Sequence, residues 1–119
     1  MSEASLPQIE VRPWGQYQVI DEQSDHKVKR IWVNPGQQLS YQRHEHRAEH
    51  WFFLEGHGLA ILNGHEVGVE PGSSIDIRIN ELHRIRNTGS DVLIFIEVQT
   101  GSYFGEDDIE RVEDDFGRV

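Results

Sequence analysis

Pro35-Gly36-Gln37-Gln38-Leu39-Ser40-Tyr41-Gln42-Arg43-His44-Glu45-His46-Arg47-Ala48-Glu49-His50-Trp51-Phe52-Phe53-Leu54-Glu55-Gly56 is the stretch that decides the fold. Pro35-Gly36 opens a turn, Gln42 and His44 follow six and eight residues after Gly36, Glu49 stands five beyond His44, and Gly56 closes the unit. Residues two apart on an extended strand point the same way, so Gln42 and His44 share a face. A second pattern, Gly72, Arg78, Asn80, His83 and Asn87, brings another imidazole from a later strand. Donors converging from separate strands in this number hold a divalent cation, and Gln42, His44, Glu49 and His83 are the expected ligands.

Outward from this stretch the rhythm is β. Asn34-Pro35-Gly36, Gly56-His57-Gly58, Asn63-Gly64, Pro71-Gly72 and Asn87-Thr88-Gly89 are turn signals, each beside a short alternating apolar run. Strands are predicted over 15–21, 27–33, 37–43, 49–55, 59–62, 65–69, 74–79, 83–87 and 91–99. Asn63-Gly64 is the clearest hairpin turn, since a type I′ turn needs positive φ at both central positions. Many short antiparallel strands at this spacing indicate an all-β sandwich or barrel of the jelly-roll kind. One helix is predicted, over 107–115, where Ile109, Val112 and Phe116 are spaced for one face and acids gather at the start. Residues 1–10 read as an N-terminal arm, with 1–7 expected to be disordered, and 11–119 as a single domain.

Composition narrows the chemistry. The chain has 119 residues and no cysteine, so disulfides and thiolate metal sites are excluded and any metal takes N and O ligands. No apolar run approaches a membrane span, and the first ten residues lack the charged and apolar regions of a signal peptide, so a cytoplasmic protein with no membrane partner is expected. A net charge of −10 argues against nucleic acid as a partner. From Glu106 onward stand seven acids and two arginines, whereas eight of the eleven Lys and Arg fall within 27–30, 43–47 and 78–86. Basic groups beside the expected ligands of an acidic protein suit a small anionic substrate.

Gln42 is the informative ligand. Three histidines and a carboxylate are common at oxygen-binding redox centres, and an amide in place of one imidazole offers a weaker, harder oxygen donor. That favours Lewis-acid chemistry, in which a metal polarises a carbonyl and a neighbouring hydroxyl so that a proton moves between adjacent carbons. Glu49, Trp51 and Phe53 alternate onto one face, an aromatic wall beside a carboxylate. Arg47, in the loop after His44, is the best placed guanidinium for a phosphate or an oxyanion. Arg84 and Arg86 alternate against His83 and point away from the metal in a regular strand. His26, His57 and His65 lie near turns and read as surface residues, while His46 and His50 flank the site.

With these residues the chain resembles the cupin superfamily, whose motifs are Gly-x5-His-x-His-x(3–4)-Glu-x6-Gly and Gly-x5-Pro-x-Gly-x2-His-x3-Asn. More narrowly it resembles the type II mannose-6-phosphate isomerase domain, usually the C-terminal part of a bifunctional enzyme that also carries a mannose-1-phosphate guanylyltransferase. Arg12-Pro13-Trp14-Gly15, Gln42-x-His44-x-His46-Arg47-Ala48-Glu49-His50-Trp51 and Gly101-x-Tyr103-x-Gly105-Glu106-Asp107-Asp108-Ile109 carry the likeness, which covers about residues 12–118.

The resemblance implies a cupin jelly-roll barrel and a metal-dependent interconversion of mannose 6-phosphate and fructose 6-phosphate through an enediol. It implies metal ligation by Gln42, His44, Glu49 and His83, and a catalytic place for Arg47. His46 is assigned beside Arg47 as catalytic, and Lys29, His50 and Arg84 as substrate-binding; the general base stays open among His46, His50 and Lys29. One divalent ion is expected, zinc ahead of manganese, cobalt or nickel, together with a phosphorylated sugar and a homodimer that covers Tyr41, Phe52 and Leu54. The alternative is a non-catalytic cupin that binds a sugar or sugar nucleotide, or partners an enzyme of polysaccharide synthesis. Arg78 and Asn80 depart from the usual Pro and Gly, and Phe116 from a common Tyr. No Gly-rich nucleotide motif is present, so a free-standing domain that does not make GDP-mannose is expected.

Overall fold

The computed structural model describes residues 8–117. Its strands are β1 (Ile9–Arg12), β2 (Gly15–Glu22), β3 (His26–Val33), β4 (Tyr41–Arg43), β5 (Arg47–Glu55), β6 (Gly58–Leu62), β7 (His65–Val69), β8 (Ser74–Ile77), β9 (His83–Asn87), β10 (Leu93–Gly101) and β11 (Glu110–Glu113). Two antiparallel sheets form, one ordered β1-β2-β3-β10-β5-β8 and the other β11-β4-β9-β6-β7. No helix is found among the described residues, and so none long and apolar enough to cross a membrane.

Strand alternation builds both core and site. Along β5, Arg47, Glu49, Trp51 and Phe53 are buried while His50 and Phe52 are exposed. On β3 the buried row is Lys29, Ile31 and Val33, and on β10 it is Leu93, Phe95, Glu97 and Gln99. The ladder sets these rows in register: Leu93 opposite Val33, Phe95 opposite Ile31 and Phe53, Glu97 opposite Lys29 and Trp51, and Gln99 opposite Glu49. The inner face is thus apolar at one end and charged at the other. Phe53 and Phe95 stack with centroids 5.0 Å apart, and Trp51 lies 5.1 Å from Phe95, closing the apolar end.

Asn63 and Gly64 both take positive φ, 47° and 83°, and join β6 to β7 with Leu62 paired to His65, the predicted tight hairpin. The strand predicted over 37–43 is regular only at Tyr41–Arg43. Ahead of it the chain still follows β9 through Leu39 N–H to Ile85 O and Asn87 N–H to Gln37 O. Ile9 and Glu10, read as part of an arm, belong to β1. Residues 1–7 lie outside the described residues. Gly15 admits the close approach of β2 to β3, because a β-carbon there would lie 2.0 Å from the Trp32 carbonyl oxygen.

The predicted helix over 107–115 is corrected to a turn followed by β11. Glu110 and Arg111 pair with Arg43 and Gln42 of β4, and Arg43 Nε donates to Glu110. The helical stripe has nothing to bury against: Val112 is 46% and Phe116 37% exposed, and Ile109 turns to the barrel mouth. A helix this short is marginal in water, whereas the open edge of β4 offers backbone partners at once. Tyr41, Phe52 and Leu54 do not form one patch, since Tyr41 lies on the outer face of the five-stranded sheet and the other two on that of the six-stranded sheet.

Asn87, which ends the second pattern, ties the sheets together. It is 1% exposed; its Nδ2 donates to Val33 O and Asp91 O, and its Oδ1 accepts from Gly89 N–H. Asn87→Ala strands all three partners, and should cost about 2–4 kcal/mol. In urea unfolding the midpoint should fall with the slope unchanged. An unmoved midpoint would show that the tie does not bear on stability.

Candidate metal centre

His44, Glu49 and His83 are all buried, and one ligand atom from each lies within 4.8 Å of the others. The strands explain the meeting. Glu49 points inward by alternation on β5, His83 opens β9, and His44 directly follows β4 with its carbonyl accepting from Asn80 N–H. Asn80 adopts φ 66°, the left-handed conformation that Asn tolerates, and so fills the place of the expected Gly. Glu81 braces this turn, accepting from Arg78 N–H and from Asn63 Nδ2. Gln42 pairs with His83 across the β4–β9 ladder and, with Glu49, lines a cavity beside the group of three.

The donors fit a divalent cation. His83 Nδ1 donates to Glu81 O at 2.8 Å, which leaves the lone pair on Nε2, and Nε2 faces Glu49 Oε1 at 3.7 Å. In the neutral imidazole that lone pair opposes a carboxylate in a buried site, which is repulsive unless a cation, a proton or a metal ion, lies between them. His83 Nε2 and His44 Nδ1 are both buried without a hydrogen-bond partner among the described residues. His44 Nδ1 lies 3.5 Å from Glu49 Oε2, and burial pushes this imidazole down to about 4, the neutral form a metal requires. Arg47 Nη2 donates to His44 Nε2 at 2.9 Å. A cation at Nδ1 needs the other tautomer, so His44 would exchange this bond for the cation.

Glu49 is held in turn. Trp51 Nε1 donates to Oε1 at 3.0 Å and Arg47 Nε to Oε2 at 3.1 Å. Burial opposes its charge, but the positive charge around it, that of the bonded Arg47 guanidinium included, outweighs burial and holds the carboxyl well below the usual range. Such outer partners fix a ligand's orientation.

The centre opens on a cavity of about 140 Å³ whose wall includes Arg12, Tyr17, Lys29, Arg47, Glu97 and Arg111. Lys29 Nζ donates to Glu106 Oε1 at 2.8 Å, and Arg47 Nη1 to Glu106 Oε2 at 3.4 Å. Burial disfavours the Lys29 ammonium, yet Glu97 and Glu106 outweigh it and hold the amine charged. Burial, then the Glu49 carboxylate, pushes the Glu97 carboxyl up, while Lys29 and Arg47 draw it down. Gln99 Nε2 donates to Glu97 Oε1.

Lys29 and Arg47 therefore stand in the cavity as expected, and three assigned residues do not. His50 lies on the outer face of β5, bonded to Asp76 at 2.6 Å, because it alternates against Glu49. Arg84 is buried but alternates against His83; its guanidinium donates to the carbonyls of Leu39 and Glu113 and fastens β11. His46 is 52% exposed on the rim, beside Asp108 at 3.1 Å, and is not in the cavity wall. Phe116 is likewise not in the wall. Glu97, Gln99 and Glu106 went unassigned from sequence. The signal for Glu97 and Gln99 was the alternation of β10, which carries them onto the row of Leu93 and Phe95.

A family model described as Mannose-6-phosphate isomerase C-terminal matches residues 2–114. The alginate biosynthesis protein AlgA of Pseudomonas syringae pv. tomato is 48% identical over 107 residues, covering 90% of this chain and 22% of that protein. The mannose-1-phosphate guanylyltransferase ManC of Salmonella typhimurium is 45% identical over 108 residues, covering 91% of this chain and 22% of ManC. The chain thus spans under a quarter of the length of these two relatives. Among solved structures, a Klebsiella pneumoniae protein with a double-stranded β-helix domain superposes with a TM-score of 0.72 at 20% identity, over 96% of this chain and 90% of that one.

Proposed function

The chain belongs to the mannose-6-phosphate isomerase C-terminal family, with the cupin fold, and on that premise we propose that it is a metal-dependent isomerase interconverting mannose 6-phosphate and fructose 6-phosphate. The observation that carries this reading is His83 Nε2, buried without a hydrogen-bond partner among the described residues, facing Glu49, which lines a cavity together with Lys29 and Arg47. A divalent ion held by Gln42, His44, Glu49 and His83, zinc by preference, would polarise the carbonyl and adjacent hydroxyl oxygens of the sugar.

The chain's own groups supply the rest. Arg47 offers a planar fork of donors, and Lys29 a point charge, to the oxyanion or phosphate of the substrate. Glu97, beside Lys29 in the ladder and outside the ligand set, can hold a proton at the cavity wall. Trp14 and Tyr17, both buried, give the cavity an aromatic wall. AlgA is named for alginate biosynthesis, and we extend that setting to this chain: a cytoplasmic supply of sugar phosphates for polysaccharide synthesis.

A coupled assay for fructose 6-phosphate tests the proposal. Metal-stripped protein should be inactive and should regain turnover with zinc, manganese, cobalt or nickel. Binding of mannose 6-phosphate without turnover under every metal would reject the isomerase and leave a sugar-phosphate-binding module.

A further inference from the structure

Two buried cations end on one half-exposed acid. The Lys29 and Arg47 side chains are 6% and 5% exposed, whereas Glu106, which receives a hydrogen bond from each on separate oxygens, is 52% exposed. Glu106 belongs to neither sheet; it stands in a turn between β10 and β11. That connection is anchored by a different residue, since the Asp108 carboxylate accepts from the backbone N–H groups of Glu45 and His46. The Glu106 side chain can therefore leave the cations while the turn stays in place and no strand pair breaks.

We propose that Glu106 is a specificity-determining residue that occupies, as an internal carboxylate, the seat of the substrate's phosphate between Lys29 and Arg47. The inference rests on the sugar-phosphate reading of the cavity and adds which ligands it admits. With Glu106 in place the cavity of about 140 Å³ is small against ligand clefts of about 300–1,000 Å³. Removing a wall residue that points inward enlarges it. Once Glu106 leaves, Lys29 loses its hydrogen-bonded counter-charge while Arg47 keeps Glu49, and a replacement charge is favoured because an unpaired buried charge is costly. A neutral sugar brings none. A phosphate monoester brings about −1.5 to −2 charges at neutral pH and three acceptor oxygens, enough for the Arg47 fork and the Lys29 ammonium together. The internal acid thus sets a threshold of ligand charge.

Calorimetric titrations of inorganic phosphate, mannose 6-phosphate and mannose into the parent protein, E106Q and E110Q, with and without zinc, test this. Glu110 is a suitable control because its carboxylate pairs with Arg43, whose side chain is 43% exposed. E106Q should bind both phosphates at least tenfold tighter than the parent, E110Q should match the parent, and mannose affinity should change less than threefold in either. Equal phosphate affinity in E106Q and parent, or an equal gain in E110Q, would overturn the seat. A second readout separates displacement from a general field effect. Lys29 and Arg47 hold the Glu106 carboxyl below its ordinary range against its burial, so its carboxyl carbon in NMR should titrate low without phosphate and near the ordinary range when phosphate saturates. A titration that stays low would show that the carboxylate never left. Turnover enters neither readout. The expected binding with no turnover rejects only the isomerase, and turnover with equal phosphate affinities rejects only the seat.

Discussion

His83→Ala should lose its divalent metal and bring isomerase turnover to background, while His65→Ala and His26→Ala keep both. His83 is 1% exposed, its Nδ1 donates to the Glu81 carbonyl, and its Nε2 has no hydrogen-bond partner among the described residues. Losing an outer partner of a metal ligand costs about 10–100-fold in affinity, so losing the ligand itself should cost more. The controls are separated from the site by position: His65 is exposed where β7 begins at the hairpin, and His26 is bonded to Asp21 and Asp25. Metal content by mass spectrometry after dialysis is the readout, with His83→Gln included because it keeps more of the buried volume. Parental metal content in both His83 variants would remove this residue from the centre.

Arg47→Lys should lower turnover by roughly 100–1,000-fold, the range seen when a preorganised donor to a developing oxyanion is lost. The guanidinium satisfies three directions at once, with Nε on Glu49, Nη1 on Glu106 and Nη2 on His44. A lysine ammonium ends in one point and cannot reproduce that fork. The competing role for Arg47 is a plain ion pair with an acid of the C-terminal segment. The structure gives it an acid of that segment, Glu106, and a metal ligand as well, in a side chain 5% exposed. A fall of several degrees in melting temperature should therefore accompany the kinetic loss, since Glu49 keeps its burial and loses part of its compensation. Metal content should stay near parental. Unchanged turnover would take Arg47 out of the reaction and leave it as a counter-charge for Glu49.

The candidate ligand set is legible in the sequence because it depends on short-range spacing. Gln42 and His44 share a face by the two-residue period of a strand, the same period puts Glu49 beside Trp51 and Phe53, and Asn63-Gly64 needs only its own backbone preferences to make a hairpin. That period also carried the information against His50 and Arg84, which alternate away from Glu49 and His83, so their assignment to substrate had no local support. His46 shares the parity of His44, but it lies in the irregular segment before β5, where strand alternation does not hold.

What the sequence by itself determined, then, is the all-β class, most strand positions and the candidate donors His44, Glu49 and His83 that the fold brings together, each read from residues within a few positions of one another. Only the tertiary structure decided that Glu97 lies against Lys29 and Trp51, that Glu106 reaches back across 77 residues to Lys29, and that the chain after Ile109 is a strand on β4 instead of a helix. Each of these depends on ladder register and on which sheet edge is open. A strand's spacing is fixed by its covalent geometry, whereas its register is fixed by partners far away in the chain, and no local pattern contains them.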